Sequence, residues 1–313
     1  MLVDLLLVAG GLVLLLFAGD FLVRGAVNLS LRLGIPAFLV GMTVVAFGTS
    51  APELLVSVQA VLAGAGGLAL GNVVGSNIAN ILLVMGAPAL IAPVLLSRES
   101  LRDFGIMIGA TLLFIALAFT GVIGLWQALV LLAAFGLFMA DSIIRGKKAR
   151  IDLDELEGAD PNLRGPKIAI YLALGLIGLP IGAQLLVTGA VDIAESLGVS
   201  EVVIGLTIVA IGTSLPELAT TLMAALRREG GVALGNILGS NLFNLLLILG
   251  VAGLIGPMTV PAEMLRLDLW VMLGAALVLA PFIWTGRPVG RLFGVVLLLA
   301  YGGYLWALFH SGV

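Results

Sequence analysis

Residues 41–60 read GMTVVAFGTSAPELLVSVQA, and residues 205–224 read GLTIVAIGTSLPELATTLMA. Eleven of these twenty positions are identical. Residues 71–86, GNVVGSNIANILLVMG, match residues 235–250, GNILGSNLFNLLLILG, at nine of sixteen positions. Both blocks recur at one offset of 164 residues, which marks an internal duplication. Each GTS block is interrupted, by Gly48 and Pro52 in the first copy and by Gly212 and Pro216 in the second. Proline removes a backbone donor and clashes with the preceding turn. Carbonyls freed that way inside a bilayer must be satisfied by protein, water or an ion.

The rest of the chain places these blocks in a membrane. Of 313 residues, 61% are hydrophobic and 11% charged, and the mean hydropathy is +1.24. A soluble chain carries roughly a quarter of its residues as charges. The composition therefore predicts an all-α polytopic membrane protein with the lipid bilayer as its solvent. The 42 glycines suit close helix packing in lipid. With no cysteine and a single histidine, His310, disulfides, thiolate sites, zinc sites and His-based triads are excluded. His310 reads as an interfacial residue. The Met-Leu-Val-Asp start has no basic segment, so the first apolar run reads as a span and not a cleaved signal.

Runs free of Lys and Arg fall at about 5–23, 38–62, 70–92, 104–120, 122–140, 168–190, 202–226, 232–255, 269–285 and 292–309. They predict ten transmembrane helices, with helices 2, 3, 7 and 8 broken. Arg24 and Arg32 follow helix 1; Arg98 and Arg102 follow helix 3. Arg145, Lys147, Lys148, Arg150, Arg164 and Lys167 follow helix 5; Arg227 and Arg228 follow helix 7; Arg287 and Arg291 follow helix 9. These are 14 of the 15 basic residues on one face, with Arg266 alone opposite. The positive-inside rule then puts both termini outside and the 141–167 loop in the cytoplasm. The acidic part of that loop, Asp152, Asp154, Glu155, Glu157 and Asp160, lacks EF-hand spacing and reads as a solvated linker. Residues 1–140 form the first five-helix repeat and 168–313 the second, within one membrane domain. Five is odd, so the second repeat enters inverted, an arrangement that sets a site at mid-membrane between the repeats.

Glu53 and Glu217 follow the two prolines and are the two acids well inside the spans; Asp20, Asp141 and Glu201 lie near helix ends. A charge at the bilayer centre costs at least ~2.5–3.5 kcal/mol on insertion scales. No interior Lys or Arg offsets it, so a bound cation is the economical partner, against the alternative of a proton-sharing pair. Thr49 stands four residues before Glu53, with Ser50 beside it. Thr213, Ser214 and Glu217 repeat that set. Asn72, Ser76 and Asn80 form an i, i+4, i+8 stripe, as do Asn236, Ser240 and Asn244. Such oxygens suit Na⁺ or Ca²⁺ and not zinc or copper. Other roles compete. Gly71, Gly75, Gly235 and Gly239 read as packing residues, and Asn72 and Asn236 read equally well as interhelix bridges. Asn77 and Asn241 point off the Ser76/Asn80 face and read as supports of the break. Asp20 reads as an i, i+4 ion pair with Arg24.

The doubled GTS-x-PE and GN-x-x-GSN-x-x-N motifs resemble the α-repeats of the Ca²⁺/cation antiporter superfamily, in its prokaryotic sodium/calcium exchanger branch. The resemblance covers essentially the whole chain. It implies a secondary antiporter in a prokaryotic inner membrane, exchanging Ca²⁺ for Na⁺ by alternating access, with no enzymatic activity and no cofactor. It implies Glu53 and Glu217 as central ligands and Thr49, Thr213, Ser50, Ser214, Ser76 and Ser240 around them. Asn80 and Asn244 would face the centre, and Ala46 and Ala210 would lend backbone carbonyls. Many exchangers carry Asp where this chain has Asn244, so two formal negative charges are left, which balance one Ca²⁺ or two Na⁺. Helices 1 and 6 could slide over a core of helices 2, 3, 7 and 8. Rival readings are a Ca²⁺/H⁺ antiporter, a cation channel and, with no base at hand, an intramembrane hydrolase using a Ser of GTS or GSN. Nothing in the sequence points to nucleic acid or to an obligate protein partner.

Overall fold

The computed structural model describes residues 1–96, 98–148, 160, 163–198 and 210–310. Lipid offers the backbone no hydrogen-bond partner, so the apolar runs wind into helices. In chain order they are α1 (Leu2–Leu33), α2 (Ala37–Thr49), α3 (Ala51–Leu62), α4 (Gly66–Ile91), α5 (Leu101–Ala118), α6 (Leu125–Lys147) and α7 (Gly165–Ser196). Then come α8 (Ala210–Thr213), α9 (Leu215–Leu226), α10 (Gly230–Ile255), α11 (Met264–Thr285) and α12 (Arg291–Leu308). Among the described residues eight helices are long and apolar enough to cross a membrane, and α2 with α3 makes a ninth span bent by 44°. The chain is an all-α polytopic membrane protein. Glu201, the acidic stretch from Asp152 to Glu157, and the start of the predicted seventh span lie outside the described residues.

Two expectations change. The first and sixth spans are much longer than their charge-free cores, because α1 and α7 each run 32 residues. Arg24 and Arg32 therefore lie on α1 and not in a loop after it. Arg24 stays helical because its Nε meets Asp20 at 2.9 Å one turn earlier. The predicted breaks in helices 3 and 8 are instead π-helical stretches, Asn80–Val84 within α4 and Phe243–Ile248 within α10, and both helices continue through them. Each π turn adds a residue and shifts the register of the side chains beyond it; Asn80 opens the first stretch and Asn244 is the second residue of the other.

The breaks at the prolines are real. The α2/α3 junction is Ser50 (φ −85°, ψ 6°) and the α8/α9 junction is Ser214 (φ −89°, ψ 4°). Pro52 and Pro216 sit in the first turn beyond, where a missing N–H costs nothing. Glu53 and Glu217 thereby fall in the first turn of a new helix, whose dipole favours a negative charge.

Small residues draw the core helices together. A Cβ on Gly235 would lie 2.3 Å from the carbonyl oxygen of Phe38, and one on Gly239 2.4 Å from that of Met42, so α10 and α2 touch backbone to backbone. The packing reading of these two glycines holds. The segment equivalent to Phe38–Met42 in the second copy, 202–206, lies outside the described residues. α1 and α7 run together through similar contacts, such as Gly189 against the carbonyl of Asp4. α6 packs on the second half of α10, and α12 on the second half of α4. Two short pairings tie the loops: Val122–Ile123 runs antiparallel to Met258–Thr259, and Val94 bridges Val289.

Candidate cation-binding site

Helices α2, α3, α4, α8, α9 and α10 bring both GTS breaks and both asparagine stripes to one buried place. Thr49, Ser50, Glu53, Ser76, Asn80, Ser214, Glu217, Ser240 and Asn244 are all at most 4% exposed, and Thr213 is half-buried. The Ser50 hydroxyl donates to Glu217 Oε1 at 3.2 Å, joining the two copies directly. Thr49 lies 3.4 Å from the Ser240 hydroxyl and donates to Asn236 Oδ1 at 3.2 Å. Glu53 and Glu217 lie within electrostatic reach of each other. Ala46 is buried one turn before the break, its carbonyl accepting the Ser50 N–H at 3.0 Å and lying 3.3 Å from the Thr49 hydroxyl. In the second copy the Ser214 N–H goes to the Ile211 carbonyl at 3.0 Å.

Asn72 and Asn236 are bridges, as one of their two readings had it. Asn72 Nδ2 donates to the Glu53 carbonyl at 3.2 Å and to Ser57 Oγ at 3.0 Å. Asn236 Nδ2 donates to the Glu217 carbonyl at 3.5 Å and to Thr221 Oγ1 at 3.2 Å. Every partner in one set stands 164 residues from its counterpart in the other. Ser57 and Thr221 were missed from sequence. The signal was present, since each lies four residues after its glutamate and completes an i, i+4, i+8 stripe with Thr49 or Thr213. Thr220, fully buried with its hydroxyl unpartnered, was missed too, and it stands one turn beyond Glu217. Asn77 donates to the Val73 carbonyl of its own helix at 2.7 Å, which is a supporting role.

Burying oxygens without partners costs about 1–3 kcal/mol each, and more for charged groups. Glu53 Oε2, Glu217 Oε2, Asn80 Oδ1, Asn244 Oδ1 and Ser214 Oγ are all buried without a hydrogen-bond partner. They are acceptors left over from two repeats, and no basic side chain pairs with either glutamate among the described ion pairs. A donor set of carboxylate, amide and hydroxyl oxygen fits a hard cation.

The two copies are not packed alike. Gly235 and Asn236 are fully covered, whereas Gly71 is exposed and Asn72 half-buried. α1 lies along α9, with Gly19 against the Ala219 carbonyl, while α7 makes little contact with α3.

Comparison with known proteins covers nearly the whole chain. The family described as "Sodium/calcium exchanger protein" matches residues 3–143 and 167–310. The chain is 41% identical to CaxA of Alkalimonas amylolytica over 99% of this chain and 100% of that one. It is 36% identical to the sodium/calcium exchanger MaX1 of Methanosarcina acetivorans over 98% and 99% of the two chains. Solved structures of the sodium-calcium exchanger NCX_Mj superpose closely. One soaked with 10 mM Na⁺ and 10 mM Sr²⁺ gives a TM-score of 0.83 at 31% identity, covering 96% of each chain. One soaked without Na⁺ and Ca²⁺ gives 0.85 at 31%, covering 98% of this chain and 99% of that one. The duplicated GTS and GSN blocks, the oxygen-lined centre and these matches make the chain a member of the sodium/calcium exchanger family, whose proteins are membrane antiporters and not enzymes.

Proposed function

We propose that the protein exchanges Ca²⁺ for Na⁺ across a prokaryotic inner membrane by alternating access, and that both ions compete for the oxygens around Glu53 and Glu217. One observation carries this reading: two buried carboxylates at equivalent repeat positions, with no basic partner among the described residues and with unpartnered oxygens around them. The printed names of MaX1 and NCX_Mj support Na⁺ as the coupling ion. YrbG of Escherichia coli, 34% identical over 95% of this chain, is named an inner membrane protein, which supports the location.

The chain is read as ten helices in two inverted repeats, 1–140 and 168–313, joined by a cytoplasmic 141–167 linker, with both termini outside. The paired asparagine bridges and the paired GTS breaks support that reading. Thr49, Thr213, Ser50, Ser214, Ser76, Ser240, Asn80 and Asn244 complete the ligand set, with Ala46 and Ala210 supplying backbone oxygen. Two negative charges at the centre balance one Ca²⁺ or two Na⁺. Full neutralisation permits the switch between states, because an uncompensated pair crossing a dry barrier is costly. α1 and α7 then slide as a pair over α2, α3, α4, α8, α9 and α10. In this topology the covered positions Gly235 and Asn236 face the cytoplasm, and the uncovered Gly71 and Asn72 face outward. That agrees with the NCX_Mj structures, which are described as following extracellular ion exchange.

The test is ⁴⁵Ca²⁺ uptake into proteoliposomes with Na⁺, K⁺, Li⁺ and H⁺ gradients imposed separately at clamped voltage. Uptake driven by Na⁺ alone is expected. Uptake driven by H⁺ alone would make the protein a Ca²⁺/H⁺ antiporter, and flux with no counter-ion would make it a channel.

A further inference from the structure

We propose that Asn241, outside the ligand set, is a positioning residue that turns the Asn80 amide so that its oxygen faces the ion; this rests on the cation site proposed above. An asparagine amide presents oxygen on one side and NH₂ on the other, and a half-turn about its last bond exchanges them. A cation accepts only the oxygen, so something must hold the turn. Asn80 Nδ2 donates to Asn241 Oδ1 at 3.1 Å, which leaves Asn80 Oδ1 as the unpartnered atom. Flipping Asn80 would set two carbonyl oxygens face to face and aim NH₂ at the cation. Asn241 is held in turn, since its Nδ2 reaches Met107 Sδ on α5 at 3.6 Å. Asn80, Asn241 and Met107 are 1%, 3% and 0% exposed, so these contacts are shielded from bulk water.

The counterpart pair, Asn77 with Asn244, lacks this device. Asn77, 164 residues before Asn241, spends its Nδ2 on the Val73 carbonyl, and its Oδ1 is unpartnered. Asn244, the counterpart of Asn80, has neither amide atom bonded. One amide of the site is preset by its neighbour, and the other turns with the ion.

Asn241→Leu and Asn241→Asp are made alone and together with Asn80→Asp in the full-length protein. KM for Ca²⁺ and Vmax are measured in proteoliposomes under whichever gradient drives wild-type uptake. Asn241→Leu is expected to raise KM about tenfold, the equivalent of one lost hydrogen bond, with Vmax within about twofold. Asn241→Asp, which still accepts from Asn80 Nδ2, restores KM. In the Asn80→Asp background Asn241→Leu changes KM less than about twofold, because a carboxylate presents oxygen in either orientation. If Asn241→Leu is not recovered folded, Asn241→Ala removes the same acceptor and carries the same expectations. An unchanged KM, or an equal change in both backgrounds, overturns the assignment while leaving the cation site standing. No Ca²⁺ uptake by the wild type under any gradient defeats the functional reading, and the role of Asn241 falls with it.

Discussion

Asp20 on α1 and Arg227 at the end of α9 are joined by an ion pair across 207 residues of sequence. Arg227 Nε donates to Asp20 Oδ1 at 2.5 Å, and Arg227 Nη2 reaches the same oxygen. The other oxygen of Asp20 takes Arg24 Nε at 2.9 Å. The pair is mostly shielded, with side chains 16% and 28% exposed. The residues 164 positions away are Gln184 and Ala63, so no such pair can form at the equivalent contact of α7 with α3. It therefore favours the arrangement in which α1 lies on α9.

Asp20→Asn and Arg227→Gln are expected to shift the protein toward the opposite state. The chain has no native cysteine, so a single reporter suffices. With Thr220→Cys, buried in this state, labelling from the cytoplasmic side should rise several-fold in either variant. The double variant should show no further rise, giving a coupling of roughly 0.5–3 kcal/mol. Labelling equal to that of Thr220→Cys alone would remove the pair from any part in the switch.

Glu53→Gln and Glu217→Gln should reduce Ca²⁺ uptake to background while the protein still folds. Each removes a charge that the ion-free protein buries with no basic side chain among the described ion pairs to offset it, so ion-free thermal stability should stay level or rise. Saturating Ca²⁺ should stabilise the wild type by about 2.7 kcal/mol at a hundredfold excess over Kd, and neither variant. Near-normal uptake would defeat the central role of the two glutamates.

The membrane class, the duplication and the residues of the centre were legible because each follows from composition or from two blocks sharing an offset. Asp20 was half legible. Its pairing with Arg24 follows from spacing on one helix, but Arg227 is distant in sequence and becomes its partner only through helix packing. The length of α1 was missed because Arg24 looked like a helix end, although a charge paired one turn back does not end a helix. The π stretches at Asn80 and Phe243 leave no local mark, since neither proline nor a glycine pair announces them. Ser57 and Thr221 were within reach of the same spacing argument that found Thr49 and Glu53.

Gly239→Val should be among the more damaging single changes outside the ion site. A Cβ there would fall 2.4 Å from the Met42 carbonyl oxygen and 2.7 Å from the Ala46 Cβ. A backbone atom cannot turn aside as a long side chain does, so α2 and α10 must separate. Overpacking costs typically about 1–3 kcal/mol. The expected result is a lower unfolding temperature and displaced GTS residues, read as weakened Ca²⁺ binding; an unchanged melting temperature would contradict the backbone contact.

Ser50 and Ser214 occupy equivalent breaks yet differ in their bonding, which separates two roles one experiment can read. Ser50 donates to Glu217 Oε1, while the Ser214 hydroxyl is buried without a partner. A hydrogen bond to a charged group contributes about 1.5–3 kcal/mol. Ser50→Ala should therefore lower ion-free stability and raise KM for Ca²⁺, because Glu217 loses a donor that holds it. Ser214→Ala removes an oxygen that only an ion would use, so KM should rise with ion-free stability unchanged. Thermal unfolding without ions, set beside ⁴⁵Ca²⁺ uptake kinetics, distinguishes the two. Equal loss of ion-free stability in both variants would mean that Ser214 is held by the protein and is not waiting for a cation.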